Sequence, residues 1–218
     1  MIGLGTTLGS RRVNRPTRLQ REFEGLFGAS SILSLRMGCD WKPDSNGKIA
    51  SLTDRYSDTG GALGGELATL STFQGYPCAI WQVGSVSCYY SDVAGSLCNI
   101  AVCQYEGPLP FTGYPVVLWD TGLNPIHGGS GGNTWGGGAT FRVDNVLTRV
   151  ADTVSPHVLI ADAATSPGTA GCSVSAGGVG TSKFVGKMFL TARLAVRPTA
   201  SQYNEMHVAL KRAFAFLP

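Results

Sequence analysis

The run Phe184-Val-Gly-Lys-Met-Phe-Leu-Thr-Ala-Arg-Leu-Ala-Val196 decides the fold. Every even position in it is apolar or glycine, while Lys187, Thr191 and Arg193 fall on odd positions. Successive strand side chains point to opposite faces, so this period of two predicts a long strand with one buried face. Pro198 stops it, and Thr199 or Ser201 can cap a following helix. Tyr203, Met206, His207, Leu210, Phe214 and Leu217 then fall at helical spacing. A helix over 199–217 is expected to close the chain by packing on a sheet or plugging an open end.

Upstream, short apolar runs alternate with turns rich in Gly, Pro, Asn and Asp. Strands are expected at 31–37, 48–53, 77–83, 86–90, 97–104, 114–119, 139–143, 146–151 and 157–162. Pro77 and Pro115 stand at strand starts, where a missing N–H is tolerated. Many short strands of this kind predict an all-β sandwich or barrel, and 218 residues suit one such domain. The chain is 43% hydrophobic and only 14% charged, with 30 glycines, which excludes a disordered chain.

The net charge of +3 is placed unevenly. Residues 1–31 hold Arg11, Arg12, Arg15, Arg18 and Arg21 against Glu22 and Glu24, and the remainder is neutral. Leu19, Phe23, Leu26 and Phe27 follow helical spacing before Gly28. Residues 1–30 are therefore expected to be a basic arm with a short helix, and residues 31–218 the β domain. Charge asymmetry of this kind suggests an interaction arm. Its arginines would meet acidic neighbours while Leu19, Phe23 and Phe27 dock in an apolar groove. The arm lacks interleaved aromatics and the body adds no basic patch, so nucleic acid is not the expected partner.

Catalytic and metal chemistry find little support. Ser130 in His127-Gly-Gly-Ser-Gly-Gly132 would need a base and an orienting acid, and the surrounding glycines read better as a loop. The five glutamates (Glu22, Glu24, Glu66, Glu106 and Glu205) form no paired-carboxylate string of the glycosidase type. Asp40, Asp44 and Asn46, then Asp54 and Asp58, then Asp144 and Asn145 could offer calcium oxygens, but each is ordinary turn chemistry. Six cysteines lack metal spacing and are expected mostly as buried free thiols. No catalytic residue, metal or cofactor is assigned. Trp135, in a Gly-rich loop, is the one aromatic that no core explains, and it is a candidate glycan contact. Met1-Ile2-Gly3-Leu4-Gly5 lacks the features of a signal peptide, and no apolar run is long enough to span a membrane. Synthesis in a cytoplasm and no membrane partner are expected.

Several segments, taken in order, resemble a concanavalin A-like (laminin G-like) domain of the sort found in phage virion structural proteins. They are Ile49-Ala-Ser-Leu-Thr-Asp54-Arg-Tyr-Ser-Asp58-Thr-Gly60, His157-Val-Leu-Ile-Ala-Asp162, Ala176-Gly-Gly-Val-Gly180 and Phe184-Val-Gly-Lys187. A closing helix from Thr199 to Leu210 follows, and Leu52 or Thr53 replaces the usual Trp. The resemblance spans about residues 31–217. It implies a two-sheet antiparallel jelly-roll sandwich and transfers no catalytic residue. The expected role is a virion protein, a capsid decoration or tail accessory subunit, bound through its arm to other virion proteins and to copies of itself. The alternative it implies is a carbohydrate-binding module that contacts a surface glycan.

Overall fold

Residues Gly186–Leu194 do form a long strand, but only Lys187 on it escapes full burial. The computed structural model describes residues 17–52, 54–56, 62–63, 68–82, 88–91, 95–111, 115–119, 126–129, 131–163, 172–174 and 184–218. Within them the chain runs α1 (Arg18–Phe27), β1 (Ile32–Met37), β2 (Trp41–Pro43), β3 (Ile49–Leu52), β4 (Ala62–Leu63), β5 (Thr69–Phe73), β6 (Tyr76–Trp81) and β7 (Cys88–Ser91). It continues through β8 (Cys98–Tyr105), β9 (Val116–Trp119), β10 (Ile126–Gly128), β11 (Trp135–Gly136) and β12 (Thr140–Val143). It ends with β13 (His157–Asp162), β14 (Cys172–Val174), β15 (Gly186–Leu194) and α2 (Ala200–Ala213).

The strands make three antiparallel sheets. The largest has seven strands in the order β12-β13-β8-β15-β6-β5, with β1 continuing beside β15 where β6 ends. A six-stranded sheet follows the order β11-β10-β9-β14-β7-β4, and β2 pairs with β3 alone.

Both faces of the large sheet are covered. One carries Ala101, Cys103, Leu159, Ala161 and Met188 into a core shared with Val117, Leu118 and Ile126 of the six-stranded sheet. The other carries Ile100, Val102, Val158, Ile160, Leu190 and Ala192 against Leu19, Phe23 and Phe27 of α1 and Tyr203, Met206 and Leu210 of α2. The layers are therefore sheet, sheet and helices. Sheets with two apolar faces read as near-continuous hydrophobic runs, and β8 and β13, buried at every residue, are of that type.

This overturns the all-β jelly-roll expectation and the resemblance behind it. The fold is mostly β with two helices and three open sheets, none closed into a barrel or strongly curled. The physical reason lies in β15. Thr191 and Arg193 were expected in solvent, but they are 2% and 1% exposed and face the second sheet. A solvated face needs no cover, whereas this sheet has an apolar second face that only helices satisfy. The expected strand at 146–151 is also absent, and those residues cross between sheets without a strand of their own.

Both helices occur where expected, but α2 ends at Ala213 and not at 217. Thr17 Oγ1 accepts a bond from the Gln20 N–H, and Gly28, at φ 77°, ends α1 in a conformation that favours glycine. Thr199 and Gln202 form a reciprocal capping box on α2. The helices are bound together where Gln202 Nε2 donates to the Leu26 carbonyl at 2.7 Å. Cys78, Cys98 and Cys103 are buried free thiols, and burial pushes the Cys78 thiol up to about 11.

Phe23 is fully buried, whereas Arg18 is two-thirds exposed and paired with Glu22. Phe23→Ala should cost about 3–5 kcal/mol in denaturant unfolding. Arg18→Ala should cost no more than about 0.5 kcal/mol. Similar losses for both would contradict the placement of α1 in the core.

Candidate functional site

The residues expected to bind partners lie in different environments. Arg11, Arg12 and Arg15 fall outside the described residues, as do Ser130 and Asp58. Arg18 pairs with Glu22 at 2.8 Å on the surface of α1, and Arg21 is exposed on the same helix and makes contacts there. Leu19, Phe23 and Phe27 are enclosed by the chain's own sheet and α2. Trp135 is 2% exposed, with its ring edge-on to Tyr105 and Phe111 at 5.7 and 5.2 Å. Gly128 permits this packing, since a Cβ there would come within 2.8 Å of the Phe111 ring. Glycines beside Trp135 lie in and around the β10–β11 pairing, where His127 stands opposite Gly136 and Gly128 opposite Trp135.

The clustered carboxylates are bonded internally. Asp44 Oδ1 accepts from the Asn46 and Lys48 N–H groups, a turn role. Asp40 takes the Met37 N–H and two bonds from Arg55 at 2.8 and 3.0 Å. Among the described residues, no group of three His, Cys, Asp or Glu side chains is arranged to hold a metal ion.

What the sequence did not single out is the connection between β12 and β13. Asp144 and Asn145 turn it with positive φ values of 50° and 67°. It then crosses to the six-stranded sheet, where the Arg149 carbonyl accepts the Trp135 N–H at 2.7 Å. The Val154 carbonyl accepts from Gln104 Nε2 at 3.1 Å. Residues 144–156 thus form a strap from the edge strand β12 of one sheet to the edge strand β11 of the other. Its backbone is bonded inward, Ala151 enters the core, and four aliphatic side chains point out. Val146, Leu147, Val150 and Val154 are 62%, 65%, 59% and 79% exposed. Aliphatic residues gathered in one exposed segment, unlike scattered single ones, mark an interaction surface. The signal was in the sequence as Val146-Leu-Thr-Arg-Val150, but it reads there as a strand.

His157 pins the strap. Its Nδ1 lies 2.5 Å from Asp144 Oδ2, and its Nε2 lies 3.3 Å from Asp152 Oδ1. Burial opposes the imidazolium, but bonds and charge from Asp144 and Asp152 outweigh it and hold the His157 pKa above the ordinary 6.5. Burial also opposes the Asp152 carboxylate, yet the Ser155 and Val154 N–H groups and His157 hold it below the usual range. Nδ1 is engaged by Asp144, while Nε2 is buried 3.3 Å from Asp152 without a hydrogen bond among the described residues.

Beside the strap lies a groove of about 470 Å³ between α1 and α2. Leu26, Val208 and Ala209 give it apolar lining, and Glu22, Glu205 and Arg212 give it charge. Asn204, which also lines the groove, accepts a bond from Asn145 of the strap at 2.6 Å. Protrusion and groove therefore adjoin.

No family model, curated protein or solved structure matches the chain. With no such match and no jelly roll, the capsid decoration, tail accessory and glycan-binding roles lose their basis. No helix among the described residues is long and apolar enough to cross a membrane.

A histidine whose folded pKa is raised adds stability that is fully present below its unfolded value and is lost as pH rises through the folded one. The stability difference between the wild type and His157→Gln should be largest below about pH 6.5 and shrink above it. Denaturant unfolding from pH 5 to 9 measures this, and a difference that is flat or grows with pH would contradict the clamp.

Proposed function

We propose that the chain is a non-catalytic interaction module that pairs with a second copy of itself through the strap and the adjoining groove. The observation that carries this reading is the outward row Val146, Leu147, Val150 and Val154 beside a groove with apolar lining. A protrusion next to a groove on one face is self-complementary. A two-fold axis near Asn204 lets each strap enter the other copy's groove, the closed isologous arrangement usual for homodimers. Charge supports the same pattern: Arg149 is exposed on the strap, and Glu205 stands at the groove, where Glu22 is already met by Arg18 and Arg212. The Asp144–His157–Asp152 clamp supports a binding role, because it rigidifies the surface before association and lowers the ordering cost.

Sedimentation equilibrium should show a concentration-dependent dimer for the wild type. Leu147→Asp and Val208→Asp should each shift it to monomer with unchanged circular dichroism, because both side chains are exposed in the subunit. Arg149→Glu should weaken association about tenfold, and adding Glu205→Arg should restore it. A wild type that stays monomeric at high micromolar concentration would overturn the proposal, and so would aspartates without effect.

A further inference from the structure

The strap is held unequally along its length. His157 opens β13 in the large sheet and reaches two points of the strap, Asp144 at its start and Asp152 further on. The start has further holds: Asp144 Oδ1 accepts the Val158 N–H at 2.9 Å, and Arg142 donates to the Asn145 carbonyl at 3.2 Å. Asp152 is less secure. Its side chain is half exposed, and the Val154 and Ser155 N–H groups that it accepts from belong to the strap itself. The side chain that faces it from the sheet is His157. The Arg149 and Val154 carbonyls and the buried Ala151 keep this half against the body. His157 therefore sets its order and not its place. Val150 and Val154, two of the four outward aliphatic residues, flank Asp152 in the chain.

Charge decides what His157 does for Asp152. As an imidazolium it carries a proton on each nitrogen and attracts both carboxylates. When neutral it keeps one proton, and the 2.5 Å contact with Asp144 Oδ2 retains that proton on Nδ1. The buried Nε2 then turns a lone pair toward the Asp152 carboxylate, so attraction across 3.3 Å becomes repulsion. Asp152 relieves this by turning into solvent, which withdraws the acceptor from the Val154 and Ser155 N–H groups. Neighbouring groups do not compensate. Cys103, opposite His157 on β8, is a thiol that burial keeps neutral. His207 of α2 lies in the field of Asp144, but burial holds it below the ordinary 6.5, so it loses its proton before His157 does. Arg142 of β12 and Arg149 of the strap lie over the Tyr203 and Phe141 rings as fixed cations. His127 of β10 packs against Gly136 of β11.

We infer that the proton on His157 is a switch for self-association, an inference that rests on the pairing of two copies proposed above. The imidazolium orders the Asp152 half of the strap, and its loss loosens Val150 and Val154 and weakens the dimer. A loosened strap must be ordered again when it enters the partner's groove, and that ordering subtracts from the free energy of association. The direction with pH follows from the charges around the ring. Burial opposes the imidazolium, but Asp144 and Asp152 hold it to a pH above the ordinary 6.5. The tighter dimer is therefore present below the folded value and is lost as pH rises through it. Histidine protonation of this kind is a known way to flip an interface between two states.

Sedimentation equilibrium of the full chain at pH 6 and pH 8.5, at matched ionic strength, tests the switch. The wild-type dimer should be about tenfold weaker at the higher pH, the effect of losing one contact between charged groups. Asp152→Asn should remove most of that dependence, because the amide oxygen still accepts the Val154 and Ser155 N–H groups and its charge is gone. Its side chain is half exposed, so the variant should fold. His157→Gln should dimerise at both pH values about as weakly as the wild type does at pH 8.5. His207→Gln and His127→Gln should keep the wild-type dependence. The monomeric Val208→Asp separates the clamp from the dimer, since its strap is unaltered. In it, backbone 15N order parameters at 150–155 should fall from pH 6 to pH 8.5, and adding Asp152→Asn should flatten the change. A dimer of equal strength at both pH values would overturn the switch and leave the pairing of two copies standing. A wild type that is monomeric at both would overturn the pairing, and the switch with it. Full pH dependence in Asp152→Asn, or order parameters that do not move, would also overturn the switch.

Discussion

Burial of the central strands β8, β13 and β15 on both faces is the constraint from which the rest of the structure follows. A strand with one wet face can end a protein, but these cannot. Ile100, Val102, Val158 and Ile160 need one cover, and Ala101, Cys103, Leu159 and Ala161 need another. The six-stranded sheet supplies one and the helices the other. Because α1 and α2 share the second task, α1, which precedes the strands in the chain, belongs to the core. Leu26 and Gln202, far apart in sequence, are bonded across the helix pair for the same reason.

A sheet enclosed on both sides must also hold its polar residues away from water, and several described cases have a particular answer. Tyr203 donates to Asp162 beneath α2, and the Arg142 guanidinium lies over the Tyr203 ring at 4.3 Å. Lys187 reaches Glu106 at the one partly open position of β15. Arg36 meets Asp54 at the edge of β1. Replacing such pairs with apolar residues often leaves a protein as stable or more so, so stability alone is a weak account of them.

The sequence showed its local elements clearly and its layers poorly. A terminal glycine, a cap and helical stripes placed α1 and α2, since Gly28 and Thr199 act within a few residues of their own position. The strand at 184–196 was found for the right reason, its period of two, yet the period misassigned its faces. Lys187, Thr191 and Arg193 look alike as polar odd positions, and only the register against Asn99 and Arg36 shows that two of them are interior. Trp135 misled in the opposite sense. Its glycine neighbours suggested an exposed loop, but those glycines let β10 and β11 press the indole against Phe111. Short distances govern what could be read, and contacts across many residues govern what could not.

The strap joins these points. An edge strand is open to unwanted pairing, and β11 and β12 are both edges at the same side of the molecule. Covering them requires only backbone bonds, which Arg149 and Val146 supply through their carbonyl groups to Trp135 and Val143. Protection alone would favour charged or polar outward side chains, as edges commonly carry. Instead three valines and a leucine stand outward beside Arg149 and Asp152, while Asp144 and His157 fix the strap at its base. Closing the edge therefore does not explain the composition of its outer surface, whereas contact with an apolar partner surface does. The same turn at Asp144 and Asn145 that protects the sheets also sets that surface beside the α1–α2 groove, so edge protection and self-recognition rest on one segment.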